Sequence, residues 1–142
     1  MSRIPLKILL VEDNPSDVFF VRQALGYEGI QSDLVVARDG EQAIAFVEAA
    51  EAKQRPPCPE LILLDLNLPR TSGTEFLRWL RQSSRCPEVP VIVVTSSDSP
   101  DDKAEATGLG ISRYFLKPHN LDEYMKLGSV VKQVCEAASD IH

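Results

Sequence analysis

Apolar residues gather along this chain in five short blocks, at 6–11, 34–37, 61–64, 91–94 and 114–116. Five longer stretches with helix-like spacing alternate with them. The first, third and fourth blocks are nearly continuous in apolar residues. That is the pattern of strands covered by helices on both sheet faces, where no position faces water. Alternation of strand and helix predicts a parallel sheet with right-handed crossovers, and therefore an α/β fold.

Polar residues mark where the helices begin. Asn14-Pro15 sets a cap before a proline suited to a first helical turn. Asp39 with Gln42, and Ser72 with Glu75, have capping-box spacing. Ser99-Pro100-Asp101-Asp102 joins a cap, an early proline and acids at the positive helix end. Asn120 opens a last helix whose Leu121, Tyr124, Met125, Val131, Val134 and Cys135 keep roughly helical spacing. Its apolar surface, counting Leu127 and Val130, is wider than one sheet contact needs. The fourth helix offers only Ala104, Ala106 and Leu109, and Gly108 and Gly110 predict a free C-terminal end. Arg55-Pro56-Pro57-Cys58-Pro59 ends the second helix and holds the chain extended.

The polar residues that follow the strands carry the candidate chemistry. Strand one runs into Glu12-Asp13, strand three into Asp65, strand four into Thr95-Ser96 and strand five into Lys117-Pro118. Open α/β sheets bind ligands outside the carboxyl ends of their strands. Three carboxylates brought together repel one another and call for a cation. An all-oxygen set favours Mg²⁺, or Mn²⁺, over zinc. Asp13 and Asp65 suit direct ligation, Glu12 ligation through water, and the Asn67 backbone carbonyl a third protein ligand. Asp65 can also act as a nucleophile, since carboxylates form aspartyl-phosphate intermediates. Lys117 would then supply a second cation and Thr95 a hydroxyl donor to a phosphoryl group. No Walker A loop occurs, which argues against nucleotide hydrolysis.

Composition narrows the classes further. At 142 residues the chain fits one domain, and no apolar run approaches the length that spans a bilayer. The first six residues lack signal-peptide features, which predicts a cytoplasmic protein. Cys58, Cys86 and Cys135 are odd in number and form no C-x-x-C pattern. They are expected to be three reduced thiols used as small packing residues. The net charge is −6 and basic residues are scattered, which argues against a nucleic-acid partner. Arg78, Arg81 and Arg85 on one helix are expected to form a solvated face.

Four motifs in order resemble the receiver domain of bacterial two-component systems: Leu9-Leu10-Val11-Glu12-Asp13, then Leu63-Leu64-Asp65-Leu66-Asn67-Leu68-Pro69 with Gly73, then Val93-Val94-Thr95-Ser96, then Leu116-Lys117-Pro118. The resemblance runs over essentially the whole length. It implies a three-layer α/β/α, flavodoxin-like fold with strand order 2-1-3-4-5 and five helices. It implies a single receiver domain over residues 1–142 with no output domain. By the same resemblance Asp65 accepts a phosphoryl group from a sensor histidine kinase, with Glu12 and Asp13 on the metal and Thr95 and Lys117 on the phosphoryl group. Tyr114 matches the switch aromatic three residues before the lysine. Ser96 joins Thr95 and Lys117 as an expected phosphoryl-binding residue, but it departs from the family pattern, where alanine or glycine is more usual, and leaves less room beside the phosphoryl group. The Asp-Leu-Asn-Leu-Pro stretch, Asp17 and the longer loop before strand three resemble, more narrowly, the small response regulators of bacterial phytochromes. Many of those form homodimers through helix four, strand five and helix five. Phe19, off the inner stripe of helix one, is expected to face outward where a kinase could grip.

Three other classes are weighed beside this one. A non-phosphorylated receiver-like adaptor would not need Asp65, Thr95 and Lys117 intact. A flavodoxin-type cofactor binder would need a phosphate loop where Glu12-Asp13-Asn14-Pro15 stands. A phosphatase using an aspartyl intermediate expects an acid two residues after the nucleophile, where this chain has Asn67.

Overall fold

The computed structural model describes residues 5–53, 58–83 and 86–139. Strands β1 (Leu6–Val11), β2 (Ser32–Ala37), β3 (Leu61–Leu64), β4 (Val91–Thr95) and β5 (Arg113–Leu116) form one sheet in the order β2-β1-β3-β4-β5. All four neighbouring pairs are parallel. Helices α1 (Pro15–Tyr27), α2 (Gly40–Lys53), α3 (Gly73–Arg81) and α4 (Pro100–Gly108) follow the first four strands, and the fifth helix comes as a one-turn α5 (Leu121–Tyr124) running into α6 (Lys126–Ser139).

Side chains of the three central strands alternate between two cores. Leu9, Val11, Ile62, Leu64, Val91 and Val93 face α2, α3 and α4, where they meet Val47, Phe76, Leu80 and Ala106. Ile8, Leu10, Leu61, Leu63, Ile92 and Val94 face α1, α5 and α6, where they meet Val21, Leu25, Tyr124, Leu127 and Val131. Burial on both faces explains the unbroken apolar runs. β2 lies at the sheet edge and alternates instead, with Val35 exposed, so it begins at Ser32, two residues before its apolar block.

The caps hold, one of them in altered form. Ser72 and Glu75 make the full reciprocal box at α3. Asp39 accepts the Gln42 N–H at 2.8 Å, but the Gln42 side chain accepts from Arg38 N–H, one residue upstream, also at 2.8 Å. The wide apolar surface of the last helix is used inside the molecule. Leu127, Val131 and Val134 are buried, and Met125, Val130 and Cys135 pack partly against the same core.

Three expectations fail in the loops opposite the acidic residues. Cys58 and Cys86 are joined in a disulfide, their Cα atoms 5.8 Å apart across 28 residues of sequence, rather than being reduced thiols. Cys135 is the free cysteine. The reason is topological: β3 and β4 are parallel neighbours, so the segments leading into them lie side by side at the same sheet edge. A crosslink closing a loop of this length stabilises by about 3.5 kcal/mol. Chemical unfolding with and without a thiol reductant should therefore differ by roughly 2–4 kcal/mol in the parent and not at all in Cys58→Ser/Cys86→Ser. Equal stability of the parent in both conditions would show that the crosslink contributes nothing.

Arg81 is not on a solvated face. Its guanidinium donates to the carbonyls of Pro87 (3.0 Å), Val89 (2.9 Å), Leu109 (2.9 Å) and Gly110 (3.0 Å). Burial lowers its pKa from the ordinary arginine value. The C-terminal end of α4 is thus not free, because the fork of N–H donors on Arg81 satisfies carbonyls that a helix end leaves open. Arg78 is exposed and pairs with Glu105 across to α4. Arg85, the prolines at 56 and 57, and the two termini lie outside the described residues.

Candidate functional site

The sheet ladder continues one residue past three strands and so fixes the backbones of the candidate site. Glu12 N–H donates to Ala37 O at 2.9 Å, Asp65 N–H to Val11 O at 3.0 Å, and Lys117 N–H to Thr95 O at 2.8 Å. Parallel strands in register end together, which brings acids distant in sequence to one edge. Carboxylate oxygens of Glu12, Asp13 and Asp65 all lie within 4.8 Å of one another. Glu12 and Asp65 are buried and Asp13 is exposed, so the cluster opens to solvent on one side.

Lys117 closes the other side. Its ammonium lies 2.8 Å from Glu12 Oε1 and 2.9 Å from Asp65 Oδ2. The remaining oxygens accept backbone N–H groups, Glu12 Oε2 from Asn14 at 3.1 Å and Asp65 Oδ1 from Asn67 at 3.1 Å. The latter bond sets the backbone of Asn67 beside the Asp65 carboxylate. Burial pushes the Glu12 carboxyl up to about 7 against the opposing pull of Lys117, and the Asp65 charge adds to the rise. Burial alone would lower the Lys117 ammonium, but its hydrogen bonds to Glu12, Asp65 and Asp17 override that and hold it above its usual range. One permanent cation therefore faces an excess of carboxylates. Such a set attracts a small hard cation through oxygen ligands, and the donors present fit Mg²⁺ or Mn²⁺.

Thr95 is fully buried at the end of β4, and Ser96 beside it is exposed. The Thr95 hydroxyl accepts the Ser97 N–H at 3.3 Å, and the Ser97 carbonyl accepts the Tyr114 hydroxyl at 2.7 Å. Ser97 also donates its own hydroxyl to Asp102 on α4 at 2.6 Å. Sequence reasoning placed Thr95 and Tyr114 but not Ser97, the residue that joins them to each other and to α4. Lys103 of α4 lies over the Tyr114 ring, 5.6 Å from its centroid. Burial raises the Tyr114 phenol above its ordinary value.

Asp17 and Tyr124 were missed as members of the site. Asp17 Oδ2 accepts from Lys117 at 3.0 Å and Oδ1 accepts from the Tyr124 hydroxyl at 3.0 Å. Asp17 entered the sequence reading only through the narrower resemblance, and Tyr124 only as an apolar position. His119 is exposed, Trp79 is half-buried and stacks on Phe76, and Phe19 is 54% exposed on α1.

A parallel five-stranded sheet in this order, with an acidic edge and a lysine reaching across it, defines the receiver class. The chain belongs to the response regulator receiver domain family, which matches residues 8–127. Among particular proteins it is similar to the response regulator Rcp1 of Synechocystis sp., with 37% identity over 126 residues that cover 89% of this chain and 86% of Rcp1. Its structure is similar to that of the phosphorylated cyanobacterial phytochrome response regulator RcpA, with a TM-score of 0.84, 30% identity, and coverage of 95% and 96% of the two chains. It is also similar to the Mn²⁺-bound form of Rcp1, with a TM-score of 0.80, 36% identity, and coverage of 90% and 92%.

Proposed function

We propose that this chain is a response regulator whose receiver domain accepts a phosphoryl group on Asp65 from a sensor histidine kinase. The observation that carries this reading is the convergence of Glu12, Asp13 and Lys117 on the buried Asp65 carboxylate at the carboxyl edge of the sheet. An Asp65 oxygen attacks phosphorus as the bond from phosphorus to the phosphohistidine nitrogen breaks. The bond's electron pair goes to that nitrogen, and the imidazole, protonated on its other ring nitrogen, leaves as a neutral group. Lys117 places its ammonium against a phosphoryl oxygen, and Thr95 turns its hydroxyl toward another. Ser96 narrows the space beside them. Glu12, Asp13, Asp65 and the Asn67 carbonyl would hold Mg²⁺, or Mn²⁺, which when bound neutralises charge on the transferring group. The same groups assist attack on small phosphodonors, so the protein contributes to its own phosphorylation and dephosphorylation without being an enzyme in the ordinary sense.

The signal leaves through Thr95. Drawing its hydroxyl to the phosphoryl group breaks its bond with Ser97, and Ser97 carries the change to Tyr114 and to Asp102 of α4. Only Ala106 of α4 is buried, so the body of that helix can shift while Arg81 holds its far end. The surface of α4, β5 and the fifth helix is the output face. Leu116 and Leu121, each 48% exposed, are the large apolar residues it offers to a second copy in a homodimer. The proposed kinase is of the phytochrome type, supported by the likeness to RcpA, and Phe19 on α1 would contact it. The place of action is the cytoplasm. Among the described residues no helix is long and apolar enough to cross a membrane, and a charge of −6 does not suit nucleic acid.

Intact-mass measurement after incubation with a small phosphodonor tests the central point. One phosphoryl adduct is expected with Mg²⁺, and none after chelation. Absence of any adduct under both conditions would leave a receiver-shaped adaptor instead.

A further inference from the structure

Lys117 serves a third carboxylate that the phosphoryl chemistry does not require. Its ammonium has three N–H donors, and three acceptors surround it: Glu12 at 2.8 Å, Asp65 at 2.9 Å and Asp17 at 3.0 Å. Asp17 belongs to α1 and stands outside the cluster that suits a metal. Its second oxygen is taken by the Tyr124 hydroxyl at 3.0 Å. Tyr124 is 3% exposed, with its ring 5.3 Å from that of Phe20 and 6.2 Å from that of Phe115, so its hydroxyl is held in place by packed rings.

We propose that Asp17, oriented by Tyr124, is a positioning residue that competes with the phosphoryl group for Lys117 and thereby sets how tightly the phosphorylated site is held. The inference rests on the phosphoacceptor role of Asp65. A phosphoryl group on Asp65 needs an N–H donor and a full positive charge from Lys117. Asp17 takes one of the ammonium's three N–H donors and sets a carboxylate oxygen 3.0 Å from its charge. The side chains of Lys117 and Asp17 are only 11% and 16% exposed, so water screens this competition weakly. Asparagine at position 17 keeps the size and an acceptor oxygen but drops the charge. Phenylalanine at position 124 keeps the packed ring and frees one Asp17 oxygen.

The test is binding of beryllofluoride, a phosphoryl mimic, to the full chain at saturating Mg²⁺, followed by NMR or fluorescence. Asp17→Asn should bind about tenfold more tightly than the parent, within the usual span of coupling between sites. Tyr124→Phe should move in the same direction by less. In a Lys117→Ala background Asp17→Asn should change affinity less than about twofold, because the competition acts through that ammonium. Unchanged or weaker binding in Asp17→Asn overturns the proposal. So does a tenfold gain that persists in the Lys117→Ala background, which would mark a general charge effect. Thermal unfolding of each variant separates loss of fold from loss of competition. Binding that survives Asp65→Asn would sink the phosphoacceptor reading itself, and it is read from a different variant.

Discussion

Asp65→Asn is expected to take up no phosphoryl group from either a small phosphodonor or a histidine kinase, and to remain folded. The asparagine side chain is nearly isosteric, and its oxygen can still accept the N–H of Asn67 that bonds Asp65 Oδ1 at 3.1 Å. The backbone bond from residue 65 to Val11 O is untouched. What disappears is the anionic oxygen that must attack phosphorus. A neutral amide oxygen is a far weaker nucleophile, and the expected loss is complete within detection. The cluster also loses one of its mutually repelling charges. Asp65 is among the groups that push the Glu12 carboxyl up to about 7, so Glu12 should titrate lower in the variant. The Glu12 penalty on folding builds as pH rises from its ordinary value to about 7 and is full above that. A lower Glu12 pKa therefore stabilises the variant near neutral pH. Loss of the Asp65–Lys117 pair at 2.9 Å opposes that gain, and stability should stay close to the parent's. Intact-mass spectrometry and a melting curve at pH 8 check both halves. An adduct formed at the parent's yield would mean that another residue is the acceptor.

The parts of this molecule that were legible in the sequence share one property: their signal is local. A block such as 61–64 announces a strand buried on both faces, and the residue that follows it sits at the strand end by construction. That is why Asp65, Thr95 and Lys117 could be placed at one edge without coordinates. The narrower features depend on partners far away along the chain. Asp17 and Lys117 are 100 residues apart, and Asp17 and Tyr124 are 107 apart. A tyrosine at an apolar helical position looks like core, and only the fold shows that its hydroxyl has an acid to meet. Arg81 looked solvated because a charged residue in a row of arginines usually is. Its four carbonyl partners come from the loop before β4 and from the end of α4, and no spacing rule reports them. The disulfide differs, because the expected strand order already set Cys58 and Cys86 just before two adjacent parallel strands. Their odd number and wide spacing drew the reading away from that neighbourhood.

Gly73→Ala should be among the most damaging conservative changes in the molecule, costing roughly 3 kcal/mol. Gly73 opens α3 directly after the Ser72 cap, and its N–H donates to Leu66 O at 3.1 Å. A Cβ there would stand 2.2 Å from the Asp65 carbonyl oxygen and 2.7 Å from Leu66 Cα. Both are backbone atoms, so no rotamer change relieves the contact. Either the start of α3 retreats or the end of β3 moves. The second outcome carries the Asp65 carboxylate with it, and a displacement of about 1 Å in a reacting group can cost on the order of a hundredfold in rate. Gly26 provides the contrast within the same protein. It is exposed on α1, with nothing within 4 Å of a Cβ built on it. Gly26→Ala should stabilise by about 0.5–1 kcal/mol through helix propensity and lost freedom of the unfolded chain. Denaturant unfolding of the two variants, with phosphorylation rates from a small donor, sets them side by side. If Gly73→Ala matched Gly26→Ala in both measurements, close approach of α3 to the end of β3 would not be what holds Asp65 in place.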